Sequence, residues 1–264
     1  MVVFHADACA VAGIPAVIDP ARQAFVASRG RELGIQIPAA VAEWYAIDGG
    51  VEYLAEHSTN DIVPIQELGL AAGGRDLAAG RLLLAVENQC CCDWVVSLPP
   101  VGLASHDVPL PGIGTSSDHQ TSWEQATDPP VYLVEHGEPT ALWTPAAQRY
   151  STYVHGEAWD IALFSMAYGT LAIDVPFRDD DLTVLREQFQ AGPRTFGWAT
   201  NFGGPGLTVY RFERAGQRVQ VATHPQQTEW RLGADDGDLL AMLVDLLAST
   251  NQANEALARS LRLG

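Results

Sequence analysis

The chemically capable residues of this 264-residue chain are four cysteines, seven histidines and one loop rich in serine, aspartate and histidine. Cys9 stands alone, whereas Cys90, Cys91 and Cys92 are consecutive. Neighbouring residues of a strand point to opposite faces, so three cysteines in a row do not pair simply with one another. Structural zinc uses spacings such as two C-x2-C pairs, which the chain lacks. Cys91 with a remote histidine has the atoms of a thiol nucleophile. Apolar neighbours such as Trp94 and Val95, however, raise a thiol pKa and make it inert. The expectation is buried, reduced thiols acting as small hydrophobes, in a reducing compartment and hence the cytoplasm.

The histidines (His5, His57, His106, His119, His136, His155 and His224) are scattered, with no H-E-x-x-H or facial-triad spacing. His106, Asp107, Asp118 and His119 share the polar stretch 99–130, whose residue types suit solvation as well as metal ligation. Ser116-Ser117-Asp118-His119 has the residue types of a hydrolytic triad, but sequence neighbours do not adopt triad geometry, and no G-x-S-x-G elbow is present. A phosphate loop needs lysine, and the chain has none. Gly112-x-Gly114 and Gly203-Gly204-Pro205-Gly206 read as turns, because a dinucleotide fingerprint follows a strand and opens a helix. The expectation is a chain without catalysis, cofactor or metal. A small hydrolase or metal enzyme built on the 99–127 loop is the alternative, for which no motif supplies the geometry.

Charge is more informative. The chain carries 32 Asp/Glu against 15 basic residues, all arginine, for a net −17. Residues 1–175 hold 21 acidic residues and six arginines, whereas 176–264 hold 11 and nine. Such a surface repels phosphate backbones, which proteins hold with Lys and Arg. It attracts a basic protein and accelerates the encounter. Solubility alone would also account for the sign of the charge. No apolar run reaches the roughly twenty residues of a membrane span, and the first residues lack the basic start of a secretory signal.

The elements that must position these groups fall into two blocks. Residues 20–34 read as a helix stopped by Gly34, and Ile37-Pro38 opens a second, in which Val41, Trp44 and Tyr45 recur at the spacing of a buried face. Asp48-Gly49-Gly50 ends it. Segments 62–65, 82–86, 94–98 and 131–134 are short apolar runs and read as strands. Trp94, Val96 and Leu98 alternate as one core face, and Pro129-Pro130 sets an extended entry to Val131. Residues 157–172 read as an apolar helix on the sheet. After Val175-Pro176 comes a helix with an acidic start, then strands in TFGWATN, LTVYRFERAG, RVQVATH and QTEWRLGA, then a helix from Asp235 onward. The expected fold is α+β, a mainly antiparallel sheet with helices packed on it. Its expected parts are an N-terminal extension at 1–19, a main domain at 20–175 and a smaller strand-and-helix block at 176–264.

Several stretches occur in an ordered series: the helix from Ile37 through Trp44-Tyr45 to Gly49-Gly50, then Glu87-Asn88-Gln89, then Asp93-Trp94-Val95-Val96, then Asp128-Pro129-Pro130-Val131-Tyr132. The series, over about residues 20–172, resembles the SUKH superfamily of fungal Smi/Knr cell-wall regulators and bacterial relatives. The resemblance implies a sheet-and-helix module without known catalysis, often an immunity protein that binds a cognate toxin, commonly a nuclease. The Cys90–Cys92 run and the long 99–127 segment depart from that pattern. Trp44, Tyr45, Gly49, Gly50, Trp94, Pro129, Pro130 and Val131 are its structural positions. Glu52, Glu56, Asp61, Glu87, Asn88, Gln89, Asp93 and Asp128 are the candidate partner-binding residues. Glu87-Asn88-Gln89 also reads as a strand end whose polar groups satisfy nearby backbone. The expected partner is a basic toxin domain, with neither nucleic acid nor membrane; a scaffold or regulator with no toxin is the alternative.

Overall fold

A computed structural model describes residues 1–71, 77, 80–89, 91–98, 127–135, 143–199, 204–225, 227–248 and 259. The chain is α+β, with two antiparallel sheets and helices, as the apolar patterning predicts. It divides into two compact units, Met1–Ala158 and Trp159–Gly264.

In the first unit, helices α1 (Ala6–Ala12), α2 (Pro20–Leu33), α3 (Ala39–Ala46) and α4 (Gly50–His57) precede strands β1 (Asp61–Ile62), β2 (Arg81–Val86), β3 (Cys92–Ser97), β4 (Val131–Glu135) and β5 (Thr144–Ala147). The strands form one sheet in chain order. Asp19 caps α2 by accepting the Ala21 N–H, and Pro20 occupies the first turn, where its missing donor costs nothing. Gly49 holds φ at 75°, which permits the sharp reversal from α3 into α4. At Gly50 a Cβ would lie 3.1 Å from the Trp44 carbonyl. Trp44 and Tyr45 are buried, and the Tyr45 hydroxyl donates to the Val63 carbonyl at 2.8 Å.

Residues 1–19 are an integral wall of this unit and not an extension. The Glu43 carboxylate accepts the backbone N–H groups of Val3, Phe4 and His5. The His5 ring donates from Nε2 to the Ala40 carbonyl and packs beside Trp44 and Tyr150. Ile18 bridges to Ile47.

The central strands are buried on both faces. On one side Leu83, Val95, Tyr132 and Val134 form a cluster with Val63. On the other, Val96, Leu98, Val131 and Leu133 are buried. Trp94 is only half-buried, so the single core face expected of Trp94, Val96 and Leu98 becomes two faces, with Val95 as deeply enclosed as Val96. Double burial also explains why these strands read as apolar runs and not as alternations.

Helix α5 (Tyr150–Phe164) carries the unit boundary. The helix expected over 157–172 ends at Phe164, and Tyr168–Ile173 is instead strand β6, paired with β11 (Gln227–Ala234). That pairing moves the boundary from the expected 175/176 to 158/159. The rest of the second unit is α6 (Asp179–Gln188), β7 (Gln190–Ala191), β8 (Thr195–Ala199), β9 (Gly204–Arg214), β10 (Gln217–His224) and α7 (Gly237–Ala248). The sheet order is β6-β11-β10-β9-β7, with β8 also on β9.

One face of this second sheet is apolar. Ala172, Phe212, Val219, Val221, Trp230 and Leu232 pack with Leu185 of α6 and with Leu243, Val244 and Leu247 of α7. The other face carries charge. Arg211 there is buried and forked onto Asp160, with Nε to Oδ1 at 2.8 Å and Nη2 to Oδ2 at 2.6 Å. Gln220 donates to the same Oδ1, and Arg211 also reaches the Pro193 carbonyl and the Thr195 hydroxyl. The Trp159 indole donates to Glu213, which pairs with Arg218.

Removing one member of a buried, hydrogen-bonded pair strands the other without solvent. Asp160→Ala is expected to lower stability by about 3 kcal/mol, read as a shifted urea midpoint of the transition that Trp159 and Trp230 report. A variant of wild-type stability would show that the pair contributes nothing.

Burial pushes the pKa of His5 down to about 4 from its ordinary 6.5. The unfolded chain therefore binds a proton between those values that the folded chain refuses. The stability this site supplies is complete above about pH 6.5 and is lost as pH falls toward 4, roughly 3 kcal/mol in all. His5→Gln, whose amide can still donate to Ala40, should show a correspondingly flatter loss of stability over that window. Parallel curves for both proteins would contradict this.

Candidate functional site

The site follows from the sheet register. A strand enclosed on both faces has no place for a carboxylate along its length, so acidic residues collect where strands end. Asp61 lies opposite Val86, Val86 opposite Asp93, and Asp93 opposite Val134. In the next row the Glu87 N–H donates to the Cys92 carbonyl, and Cys92 lies opposite Glu135. One end of the sheet therefore carries a carboxylate on each of four successive strands: Asp61, Glu87, Asp93 and Glu135. Arg81 stands at the opposite end of β2.

Of these four, Asp61 is exposed, Glu87 and Glu135 are half-buried and Asp93 is buried. Helix α4 leads directly into this end. Val51 and Leu54 face the core, while Glu52 and Glu56, one turn apart, are exposed. Glu52 is paired with Arg22 at 2.7 Å. Four residues of chain separate Glu56 from Asp61.

Glu87 has a second role as the organiser of the β2–β3 turn. Its Oε2 accepts the Gln89 N–H at 2.7 Å and the Cys91 thiol at 3.2 Å. Asn88 and Gln89 are exposed at the tip. Of the two roles considered for Glu87-Asn88-Gln89, the carboxylate performs the backbone-satisfying one, and the two amides face solvent.

The thiols at this turn are held protonated. The hydrogen bond to Glu87, followed by burial, raises the pKa of Cys91, and burial followed by the neighbouring Cys91 pushes Cys92 up to about 12. The sequence attributes inert thiols to apolar neighbours; at exposed Cys91 the larger cause is the carboxylate. Cys90 lies outside the described residues.

Two candidates leave the binding set. Asp93 is buried within β3. Asp128 lies beyond the opposite end of β4, and its carboxylate accepts the Ser151 N–H at 2.9 Å and the Ser151 hydroxyl at 2.5 Å, at the start of α5. It is a helix cap, and Pro129-Pro130 carries the chain from it into Val131. Glu135 is the residue not anticipated. Its signal was available, since it terminates the apolar run Val131–Val134 as Glu87 follows the run in β2.

Among the described residues no group of three His, Cys, Asp or Glu is disposed to hold a metal. The loop residues His106, Asp107, Ser116, Ser117, Asp118 and His119, with most of 99–127, lie outside the described residues, as does His136. No described helix is long and apolar enough to cross a membrane. Comparison with protein-family models, with curated proteins and with solved structures finds no match to this chain.

The two assignments for acidic residues separate experimentally. Asp128→Ala removes a partly buried cap and is expected to cost about 1–2 kcal/mol in a denaturant titration. Asp61→Asn, at an exposed edge, should change stability by less than about 0.5 kcal/mol. The reverse ranking would return Asp128 to the surface set.

Proposed function

We propose that this chain is a protein-binding module that presents the acidic end of its first sheet to a basic partner, in the manner of an immunity protein covering a toxin domain. The observation that carries the proposal is the collection of Asp61, Glu87 and Glu135 at one sheet end, beside the exposed Glu52 and Glu56 of α4. The first unit holds 19 Asp/Glu and six Arg, a net charge of −13.

The physics favours a cationic protein surface over a small ligand. The carboxylates sit on four different elements, spread along an exposed end and not converging on a point. Such an arrangement steers diffusion and sets orientation. It suits a nuclease-type partner, whose substrate groove must itself be basic. Asn88 and Gln89 at the turn tip supply neutral donors and acceptors at the centre of the charged region. The resemblance to the SUKH superfamily supports the same reading through its immunity members.

The test uses the intact chain as bait for proteins encoded beside its own gene. A basic protein should bind at low salt, and its association rate should fall steeply as salt rises. The combined Glu56→Gln, Asp61→Asn and Glu135→Gln variant should slow association about tenfold with an unchanged thermal melt, while Asp128→Asn should leave the rate as it is. A partner whose binding ignores both salt and these three substitutions would refute the assignment.

A further inference from the structure

Strand β6 has the opposite character from the acidic end of the first sheet. Its sequence, Tyr168-Gly-Thr-Leu-Ala-Ile173, contains no charge and no proline, and its pairing with β11 has no bulge. Among the described residues β11 is its only strand partner, so β6 is an edge. Edges of soluble proteins are normally blunted by one of those three devices. This one instead exposes Tyr168 (49%), Leu171 (44%) and Ile173 (45%), with Phe164 (61%) close by. Arg231 lies opposite Leu171 in the sheet and stacks over the Phe164 ring at 5.2 Å, which places Phe164 on the face of Leu171 and Ile173, while Tyr168 lies on the other face.

The register identifies which main-chain groups are open. The Asp174 N–H donates to the Thr228 carbonyl at 2.8 Å, and antiparallel ladders alternate. The even-numbered residues of β6 therefore bond toward β11, and the N–H and C=O groups of Gly169, Leu171 and Ile173 point outward. These are also the residues whose side chains share one face of the sheet.

We infer that β6 pairs with β6 of a second copy, antiparallel about a two-fold axis at Leu171. A two-fold perpendicular to the sheet requires residue numbers in each opposed pair to sum to an even value, so that like faces stay together. With Leu171 opposite itself, Ile173 falls opposite Gly169 of the second copy. A bulky side chain meets an absent one, and the neighbouring position in the next strand, opposite Gly169, is Gly233. All three outward-facing residues of each copy then exchange hydrogen bonds.

The electrostatics allow it. Arg231 is neutralised within its own copy by Glu229 at 2.9 Å. The second unit carries 13 Asp/Glu and nine Arg, so like-charge repulsion there is far weaker than between two first units. The three exposed side chains of that face, Phe164, Leu171 and Ile173, offer on the order of 300 Å² per copy, given the 150–250 Å² typical of an aromatic. The pair thus buries about 600 Å² of side chain before main chain is counted, at the weak, transient end of protein association. The dimer is accordingly weak and reversible.

Sedimentation velocity of the intact chain at rising concentration should show a monomer–dimer equilibrium, insensitive to salt. Leu171→Lys should weaken it at least tenfold without altering the thermal melt. With Cys90 and Cys91 replaced by serine, Leu171→Cys should cross-link to itself under mild oxidation, because directly opposed Cα atoms lie about 5.5 Å apart. Ile173→Cys alone should not cross-link, whereas a mixture of Ile173→Cys and Gly169→Cys chains should. A chain that stays monomeric at high micromolar concentration overturns the inference, as does a dimer that survives Leu171→Lys or a self-linking Ile173→Cys. A monomer whose Leu171 amide is protected from hydrogen exchange would show that another part of the chain covers the edge, and would overturn it equally.

Discussion

Enclosure of the first sheet on both faces is the constraint from which its surface chemistry follows. Leu83, Val95 and Tyr132 fill one side, and Val96, Val131 and Leu133 the other. An ionised side chain in the middle of such a strand would lose its hydration with no cation to replace it, a cost of several kcal/mol. The acidic residues of β1 to β4 are therefore confined to strand ends, and the antiparallel register decides which ends coincide. Asp61, Glu87 and Glu135 share one end because the short β2–β3 turn and the β1–β2 register align them there. Asp93, one step further into the strand, is already enclosed.

The second sheet solves the same problem differently. It buries only one apolar face, and its charged face is covered from Trp159 to Phe164 by indole, carboxylate and aromatic groups matched to the arginines beneath. Arg211 takes a forked carboxylate, Arg218 lies against the Trp159 ring and Arg231 against Phe164. Planar guanidinium groups serve both as ion-pair donors and as stacking surfaces, which an ammonium group does poorly. Of the three, Arg211 is buried and Arg218 and Arg231 are partly exposed.

Much of the fold was legible because local signals agreed with tertiary ones. Gly34 at the end of α2, Pro38 at the start of α3, and the spacing of Val41, Trp44 and Tyr45 all survive in the structure. Strands β2, β3 and β4 declared themselves by apolar runs, and β9, β10 and β11 by alternation around the Ala215-Gly216 turn. Helix α4 was hidden by Gly49-Gly50, which reads as a stop but serves as a hinge between two helices. Strand β6 was hidden because Ala162 to Ala172 is apolar without a breaker stronger than Gly169, and its strand character comes from β11, some sixty residues later. Short apolar runs leave helix and strand undecided when the deciding partner is remote.

The candidate site was legible in composition and not in position. Glu87 and Asp61 could be listed from the sequence, but their convergence with Glu135 depends on cross-strand register, which no single segment encodes. Asp93 and Asp128 show the converse. Both lie in stretches that resemble a family motif, and both are internal, one in a strand and one capping a helix. A motif acidic residue thus carries two possible meanings, surface charge or backbone acceptor. Only the neighbouring donors separate them: the Ser151 N–H and hydroxyl claim Asp128, and a turn amide and a thiol claim one oxygen of Glu87 while Glu56 and Asp61 stand in solvent. The charge available to a partner is therefore smaller than the net −13 of the first unit suggests, because Asp93 and Asp128 are buried and one oxygen of Glu87 is engaged in its turn.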